Sequence, residues 1–78
     1  MIEDFTMIDY RIEMGKQLRS LRELQGWTVE QVATMAGVKA KTIEKIEEGA
    51  FNVSFDILAK VADVLGCRIS IEDKQETF

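Results

Sequence analysis

The chain has 78 residues, 46% of them hydrophobic and 31% charged, and its formal net charge is −4 at pH 7. This length suits one domain with one core, and the apolar fraction is too high for a disordered tail. With no histidine and one cysteine, most catalytic triads, nearly all zinc sites and an internal disulfide are excluded. Because no glycine-rich phosphate loop occurs either, we expect neither an enzyme nor a cofactor.

No apolar run approaches the roughly 18 residues that a membrane helix needs. The acidic N-terminal sequence MIEDFTMIDY also lacks the basic-then-apolar order of a secretory signal. We therefore expect a cytoplasmic protein that does not bind membranes, a compartment that also suits a single free thiol.

The negative charge lies at the two ends of the chain. Residues 1–10 contain three acidic residues and no cation, and residues 70–78 contain three acidic residues and one lysine. Residues 11–69 hold nine Lys or Arg against eight Asp or Glu, a balance of +1. A near-neutral centre can still present a basic surface if its cations cluster on one face.

The first amphipathic helix is predicted from about Tyr10 to Gln25. Apolar residues recur there at spacings of four and three, which is the period of a helix with one buried face: Met14, Leu18 and Leu21. Gly26 follows in the position of a left-handed C-terminal cap.

A second helix is predicted after Thr28, which has the capping-box spacing to Gln31. Trp27 before the cap and Val32 inside the helix have the spacing of a hydrophobic staple. Trp27 has the alternative of stacking on a base, but the core-and-staple interpretation is favoured. Gly37 ends this helix.

Two further helices follow. The third is predicted over residues 39–48, with Ile43 and Ile46 on its buried side. Ser54 is a predicted N-cap for the fourth. The apolar face of the fourth helix comprises Phe55, Leu58, Val61, Ala62 and Leu65.

The periodicity changes to that of a strand at residues 67–73, where Cys67, Ile69 and Ile71 alternate with polar residues. One strand in a helical chain has unpaired backbone groups, and the simplest partner is the same strand of a second copy. The alternatives are a frayed tail and a short fifth helix.

Small residues and isoleucines in the second and third helices have the order of a helix-turn-helix. Ala33 and Gly37 suit the close approach of two backbones, and Ile43 and Ile46 anchor the third helix. In this motif the second of the two helices stands out far enough to enter a major groove.

The segments MGKQLRSLRELQGWTVEQVATMAGVKAKTIEKIEEG and NVSFDILAKVADVLG resemble the Cro/repressor-type (XRE-like) helix-turn-helix DNA-binding family. This resemblance implies an all-α, compact, lambda-repressor-like domain of four to five helices over residues 10–66. We expect an acidic segment at 1–9 before it, and the short dimerising strand at 67–73 and a tail at 74–78 after it.

The resemblance also implies roles for individual residues. Arg22 and Glu47 correspond to a partly buried ion pair that joins the first and third helices. The family reads bases from the start of the third helix, and some further positions are candidates for DNA contacts. The full candidate set is Lys39, Ala40, Lys41, Thr42, Lys45, Thr28, Asn52 and Arg19. Lysine can donate to guanine or neutralise phosphate.

Several positions depart from the family pattern or leave alternatives open. Val29 stands where a phosphate-binding glutamine is frequent, and Ala50 and Phe51 replace basic residues in the loop after the third helix. The lysines of that helix have the alternative of a solvated face balanced by glutamates. Phe51 and Phe55 are expected in the core; if exposed, they would indicate a protein partner.

We therefore predict a homodimeric, sequence-specific repressor that binds double-stranded DNA. The alternative is an antitoxin or adaptor that binds a toxin or another protein, with weak or lost DNA binding.

Overall fold

A computed structural model describes residues 5–70 and the side chains of residues 10–70. The chain forms four α-helices in that range: α1 (Phe5–Leu24), α2 (Val29–Ala36), α3 (Ala40–Glu48) and α4 (Phe55–Val64). The predicted all-α class and the four helices are confirmed. No strand occurs among the described residues. Residues 67–70 of the predicted strand are described and are not in a strand. Residues 71–73 of it, with Ile71, and the 74–78 tail lie outside the described residues, as do residues 1–4 of the acidic segment.

The start of α1 was predicted five residues too late. The helix begins at Phe5 rather than Tyr10, so that residues 5–9 of the predicted acidic segment are helical. The apolar residues Phe5, Ile8 and Ile12 recur at spacings of three and four, so the helical period extends upstream of Tyr10. Ile12, which lies in both the predicted and the observed helix, is alongside the end of α3, as described below.

The ends of α2 follow the predicted local chemistry. The Thr28 side-chain oxygen accepts from the Gln31 backbone N–H at 3.0 Å, and the Gln31 side chain accepts from the Thr28 N–H at 2.8 Å, which completes the capping box. Gly37 ends α2 with a φ of 72°, a left-handed conformation that glycine adopts without steric cost. The Val38 N–H then donates to the Ala33 carbonyl at 2.9 Å.

The core contains residues from all four helices and from the loop before α4. Its buried members are Leu18, Val32, Ala33, Ala36, Ile43, Ile46, Phe51, Leu58, Val61, Ala62 and Leu65. Phe51 is 8% exposed and confirms the expectation of a core residue, whereas Phe55 is 64% exposed and does not. Phe55 is the first residue of α4, directly after the N-cap Ser54, and Phe51 from the loop is the aromatic residue of the core instead.

The backbones of α1 and α3 approach each other closely at Gly15. A Cβ atom at this position would overlap the Ile46 carbonyl oxygen and lie 2.9 Å from that of Glu47. The prediction that Gly37 permits a close approach was wrong, because a Cβ there would meet nothing within 4 Å. Ala33 is buried as expected. Because of the close contact at Gly15, the position of α3 depends on the absence of a side chain in the middle of α1.

We predict that Gly15→Ala destabilises the fold by about 1–3 kcal/mol through overpacking against the α3 backbone. Helix propensity alone would give the opposite sign, a gain of roughly 1 kcal/mol. Urea unfolding followed by circular dichroism measures the difference. Ser20→Ala, at an exposed position of the same helix, is the control and should not destabilise. A Gly15→Ala protein as stable as wild type would refute the close approach.

Candidate nucleic-acid interface

The outward face of α3 presents two exposed lysines, Lys41 and Lys45. Because they are four residues apart on a helix, their side chains are neighbours on one face. Among the described residues, neither ammonium group has a carboxylate within 4.0 Å. Two like charges side by side repel each other by a few tenths of a kcal/mol, and a polyanion would relieve that repulsion.

The other candidates on α3 differ in exposure. Lys39 is exposed and is the N-cap of α3 rather than its first helical residue, with no side-chain capping bond. Ala40 is half-buried and packs against the core, so only part of its surface can meet a ligand. Thr42 is also half-buried. The exposed side chains of α3 are therefore two lysines and two glutamates, Lys41, Glu44, Lys45 and Glu48.

Three candidates lie on other elements. Thr28 is exposed at the start of α2, and its hydroxyl oxygen already accepts the capping bond, which leaves the O–H free to donate. Asn52 is exposed in the loop between α3 and α4. Arg19 is exposed on α1 and donates to Glu23 at 3.0 Å. Such a surface pair is weak and does not prevent Arg19 from exchanging Glu23 for a phosphate.

Arg22 and Glu47 join α1 to α3. Arg22 Nε donates to Glu47 Oε2 at 2.6 Å, and Nη2 donates to Oε1 at 3.0 Å. The third nitrogen, Nη1, donates to the Trp27 carbonyl at 2.9 Å, so that the turn before α2 is held as well. Both side chains are nearly buried, at 12% and 10% exposure. The hydrogen bond to Glu47 raises the pKa of Arg22 despite the opposing effect of burial, and the guanidinium stays charged.

The comparisons with known proteins agree with this geometry. The helix-turn-helix family model matches residues 18–71, more than half of the chain. The chain belongs to the Cro/repressor-type helix-turn-helix family. The crystal structure of the restriction-modification controller protein C.AhdI from Aeromonas hydrophila has a TM-score of 0.71 and 28% identity. The superposed region covers 77% of this chain and 91% of the C.AhdI chain.

Two curated relatives are also similar to this helix-turn-helix chain. An HTH-type transcriptional regulator of Archaeoglobus fulgidus is 36% identical over 56 residues, which are 72% of this chain and 80% of that protein. The competence pilus inhibition repressor of Acinetobacter baylyi is 32% identical over 59 residues, 76% of this chain. The chain spans about half (54%) of that repressor, and 16% of an HTH-type regulatory protein of Pyrococcus furiosus.

Family membership supports DNA binding and the regulation of transcription. The family consists of DNA-binding regulators rather than enzymes, and helix-turn-helix regulators bind double-stranded DNA. Among the described residues, no helix is long and apolar enough to span a bilayer.

Two residues outside the predicted set, Gln25 and Gly15, also hold the helix-turn-helix frame. Gln25 Nε2 donates to the Leu21 carbonyl at 3.1 Å and to the Leu65 carbonyl at 2.9 Å, which ties the end of α1 to the end of α4. Nothing in the sequence indicates this contact across 40 positions. Gly15 had a signal, because an isolated glycine inside a helical pattern indicates a close approach.

Trp27 and Cys67 are both half-buried and pack against the core. This placement favours the core-and-staple interpretation of Trp27 over base stacking. The Cys67 thiol donates to the Ala62 carbonyl at 3.4 Å, and burial raises its pKa. A raised thiol pKa lowers the reactive thiolate fraction.

We predict that Glu47→Leu destabilises the fold by about 3–5 kcal/mol, because it leaves the Arg22 charge in a nearly buried site without its partner. The double change Arg22→Met with Glu47→Leu should recover most of that loss, since two apolar side chains need no partner. Denaturant unfolding of wild type, both single variants and the double variant measures the coupling.

Arg19→Met with and without Glu23→Leu is the matched control on an exposed pair, where the coupling should stay below about 1 kcal/mol. Equal coupling energies in the two cycles would contradict the structural role of Arg22 and Glu47.

Proposed function

We propose that this protein is a sequence-specific transcriptional regulator that reads the major groove of double-stranded DNA with α3. The observation that supports this most is the exposed pair Lys41 and Lys45, held on a short helix whose opposite face is locked into the core by Ile43 and Ile46. A reading helix must be rigid as well as exposed, because base contacts have narrow geometric tolerances.

The chemistry of these side chains suits both kinds of DNA contact. Lys41 and Lys45 can donate to the O6 and N7 acceptors of guanine or to phosphate oxygens. Thr42 can donate, accept or touch the methyl group of thymine. Thr28, Asn52 and Arg19 supply donors for phosphates that fix the register without reading the sequence.

The competing interpretation is a solvated face on which glutamates balance the lysines. Glu44 and Glu48 are indeed exposed on α3. However, no ion pair between them and the lysines exists within residues 10–70, so the lysine ammonium groups are available to a ligand. Separate substitution of the two lysines and of the two glutamates distinguishes the two interpretations.

We further propose that the regulator is a homodimeric repressor. Two copies would place α3 in successive major grooves, with half-sites about 34 Å apart. Repression by occupying a promoter is the simplest mechanism and needs no effector site. The similarity to the competence pilus inhibition repressor supports this finer proposal.

The segment after α4 supports a dimer interface. Cys67 and Ile69 are half-buried and pack against the core, while Arg68 and Ser70 are exposed. This alternation is that of a strand with one apolar face. No backbone bond joins residues 68–70 to any other described residue, so their N–H and C=O groups are available to the same segment of a second copy.

A second candidate function is a protein-interaction module, either an antitoxin or an adaptor. The specific observation that favours it is Phe55, a large aromatic side chain 64% exposed at the start of α4. In the antitoxin version, DNA binding persists beside the protein interaction. A binding partner that wild type retains and Phe55→Ser loses, with DNA affinity unchanged, would support this candidate; equal retention by both would remove its basis.

We predict that Lys41→Ala with Lys45→Ala weakens duplex binding by more than about tenfold, because each base or phosphate contact of this kind contributes about 1–3 kcal/mol. The melting temperature should not fall, since both side chains are exposed. Fluorescence anisotropy with a labelled duplex gives the affinity. The control on the same helix, Glu44→Ala with Glu48→Ala, should bind as well as wild type or better. Unchanged affinity of the lysine variant would eliminate α3 as the reading helix.

We predict that Ile69→Asp and Ser70→Pro each yield a monomer, as measured by light scattering after size-exclusion chromatography. The first inserts a charge into the apolar face, and the second removes a backbone donor at an exposed position without touching the core. Ser70→Ala keeps the donor and should remain dimeric. If Ser70→Pro stays dimeric, the two copies meet elsewhere.

A further inference from the structure

A contact between α1 and the loop after α3 has no part in the function proposed above. The guanidinium carbon of Arg11 lies over the Phe51 ring, 5.5 Å from the ring centroid. The ring is buried in the core cluster, whereas Arg11 is exposed. A guanidinium that stacks on an aromatic face keeps its N–H donors at its edge, where they can contact a ligand. Phe51 therefore supports a cation at the surface of this loop.

A second contact fixes the same loop against α1. Gly49 ends α3 with a φ of 77°, and a Cβ atom there would lie 2.9 Å from the Cα atom of Ile12. Ile12 is the neighbour of Arg11 in the chain, so the backbone of the loop rests on α1 at the point where Arg11 projects. The close approach of Gly49 to the Ile12 backbone holds this part of α1, and with it Arg11, beside the end of α3.

The loop offers donors but has no cation of its own. Asn52 is exposed, and the sequence of residues 50–53 is AFNV. Within residues 10–70, no acceptor takes the backbone N–H of Phe51, Asn52 or Val53. Backbone N–H groups, carboxamides and guanidinium groups are those that bind phosphate oxygens in DNA complexes. Arg11 brings to this loop the positive charge that residues 50–53 lack.

The loop also lies where a phosphate is expected. With nine residues and a rise of about 1.5 Å per residue, α3 is about 13 Å long, close to the roughly 12 Å width of a major groove. If α3 lies across the groove, residues just beyond its end would meet a strand that borders the groove. That orientation would bring the loop and Arg11 to the backbone of the duplex that α3 is proposed to read.

We propose that Arg11, supported by Phe51, binds a backbone phosphate of DNA together with Asn52. This inference rests on the proposed function, because it names a further contact with the same duplex. A phosphate contact positions the protein without reading bases, so its loss weakens binding to all sequences alike and lowers the salt dependence. Arg11 compensates for the missing basic residues of the loop from a different helix.

The test is the salt dependence of affinity for a labelled, mixed-sequence duplex of about 30 base pairs, which accommodates two half-sites one helical turn apart. Arg11→Gln should weaken binding by about tenfold. It should also reduce the slope of log K against log salt by about 0.9, the value for one phosphate. Lys60→Gln, an equal change of charge at an exposed site on α4, is the matched control and should leave the slope unchanged.

Two further variants separate a phosphate contact from a structural role. Arg11→Lys keeps the cation and should restore the wild-type slope, because the slope counts neutralised phosphates and a purely structural role of Arg11 would not change it. Phe51→Leu keeps an apolar side chain in the core but removes the ring that supports Arg11. Its effect on affinity should not add to that of Arg11→Gln, because both changes remove the same contact.

Each outcome is decisive. If wild type binds the duplex and Arg11→Gln shows the wild-type slope, the phosphate contact is overturned while the proposed function stands. A lower melting temperature of Arg11→Gln with an unchanged slope would also overturn the phosphate contact and leave the proposed function standing. If folded wild type does not bind the duplex even at low salt, the proposed function itself fails, and this contact fails with it.

Discussion

The ion pair between Arg22 and Glu47 is the interaction on which the arrangement of the helices depends. One guanidinium satisfies both oxygens of a carboxylate on α3 and the Trp27 carbonyl before α2, so a single side chain fixes three elements. A bidentate pair that is nearly withdrawn from water is stabilising only as a unit, since either partner alone would be a costly buried charge. It also sets orientation, because the planar fork of arginine accepts few geometries. The helix-turn-helix geometry thus depends on a polar contact at the edge of an apolar core.

The need for such a contact follows from the length of the helices. At eight and nine residues, α2 and α3 are shorter than the roughly 12 residues at which isolated helices become even marginal. Both end at a left-handed glycine, and α2 begins with a complete capping box. Tertiary packing supplies the rest of the stability of these short helices. The α1 backbone approaches α3 closely only because Gly15 has no side chain. The exposed face of α3 makes no contribution to the core, so it can carry lysines without loss of stability. The packing of the domain is thereby linked to its proposed reading of DNA.

Local chemistry could be predicted from the sequence, and contacts between distant residues mostly could not. The capping box of Thr28 and Gln31 and the glycine at the end of α2 depend on neighbours within a few positions, and both were predicted correctly. The family resemblance implied the Arg22 and Glu47 pair, which no spacing would have indicated.

In contrast, the support of Arg11 by Phe51 joins residues 40 positions apart, and neither residue type indicates the other. The exposure of Phe55 was missed because its spacing in α4 fits the apolar stripe, while its place in the first turn puts it outside the core. The pairing of residues 67–71 across two copies remains a prediction, since it concerns a second chain and Ile71 lies outside the described residues.

Selection of bound duplexes from a randomised pool tests whether α3 reads a DNA sequence. It should be done with protein shown to be folded and at a fixed ionic strength of about 100 mM, because the affinity of a DNA-binding protein has no meaning without its salt concentration. A two-fold dimer with one reading helix per copy should enrich an inverted repeat, with half-sites separated by about one helical turn. No enriched sequence from the folded protein would contradict sequence-specific reading by α3 and leave the protein-interaction function as the better explanation of the fold.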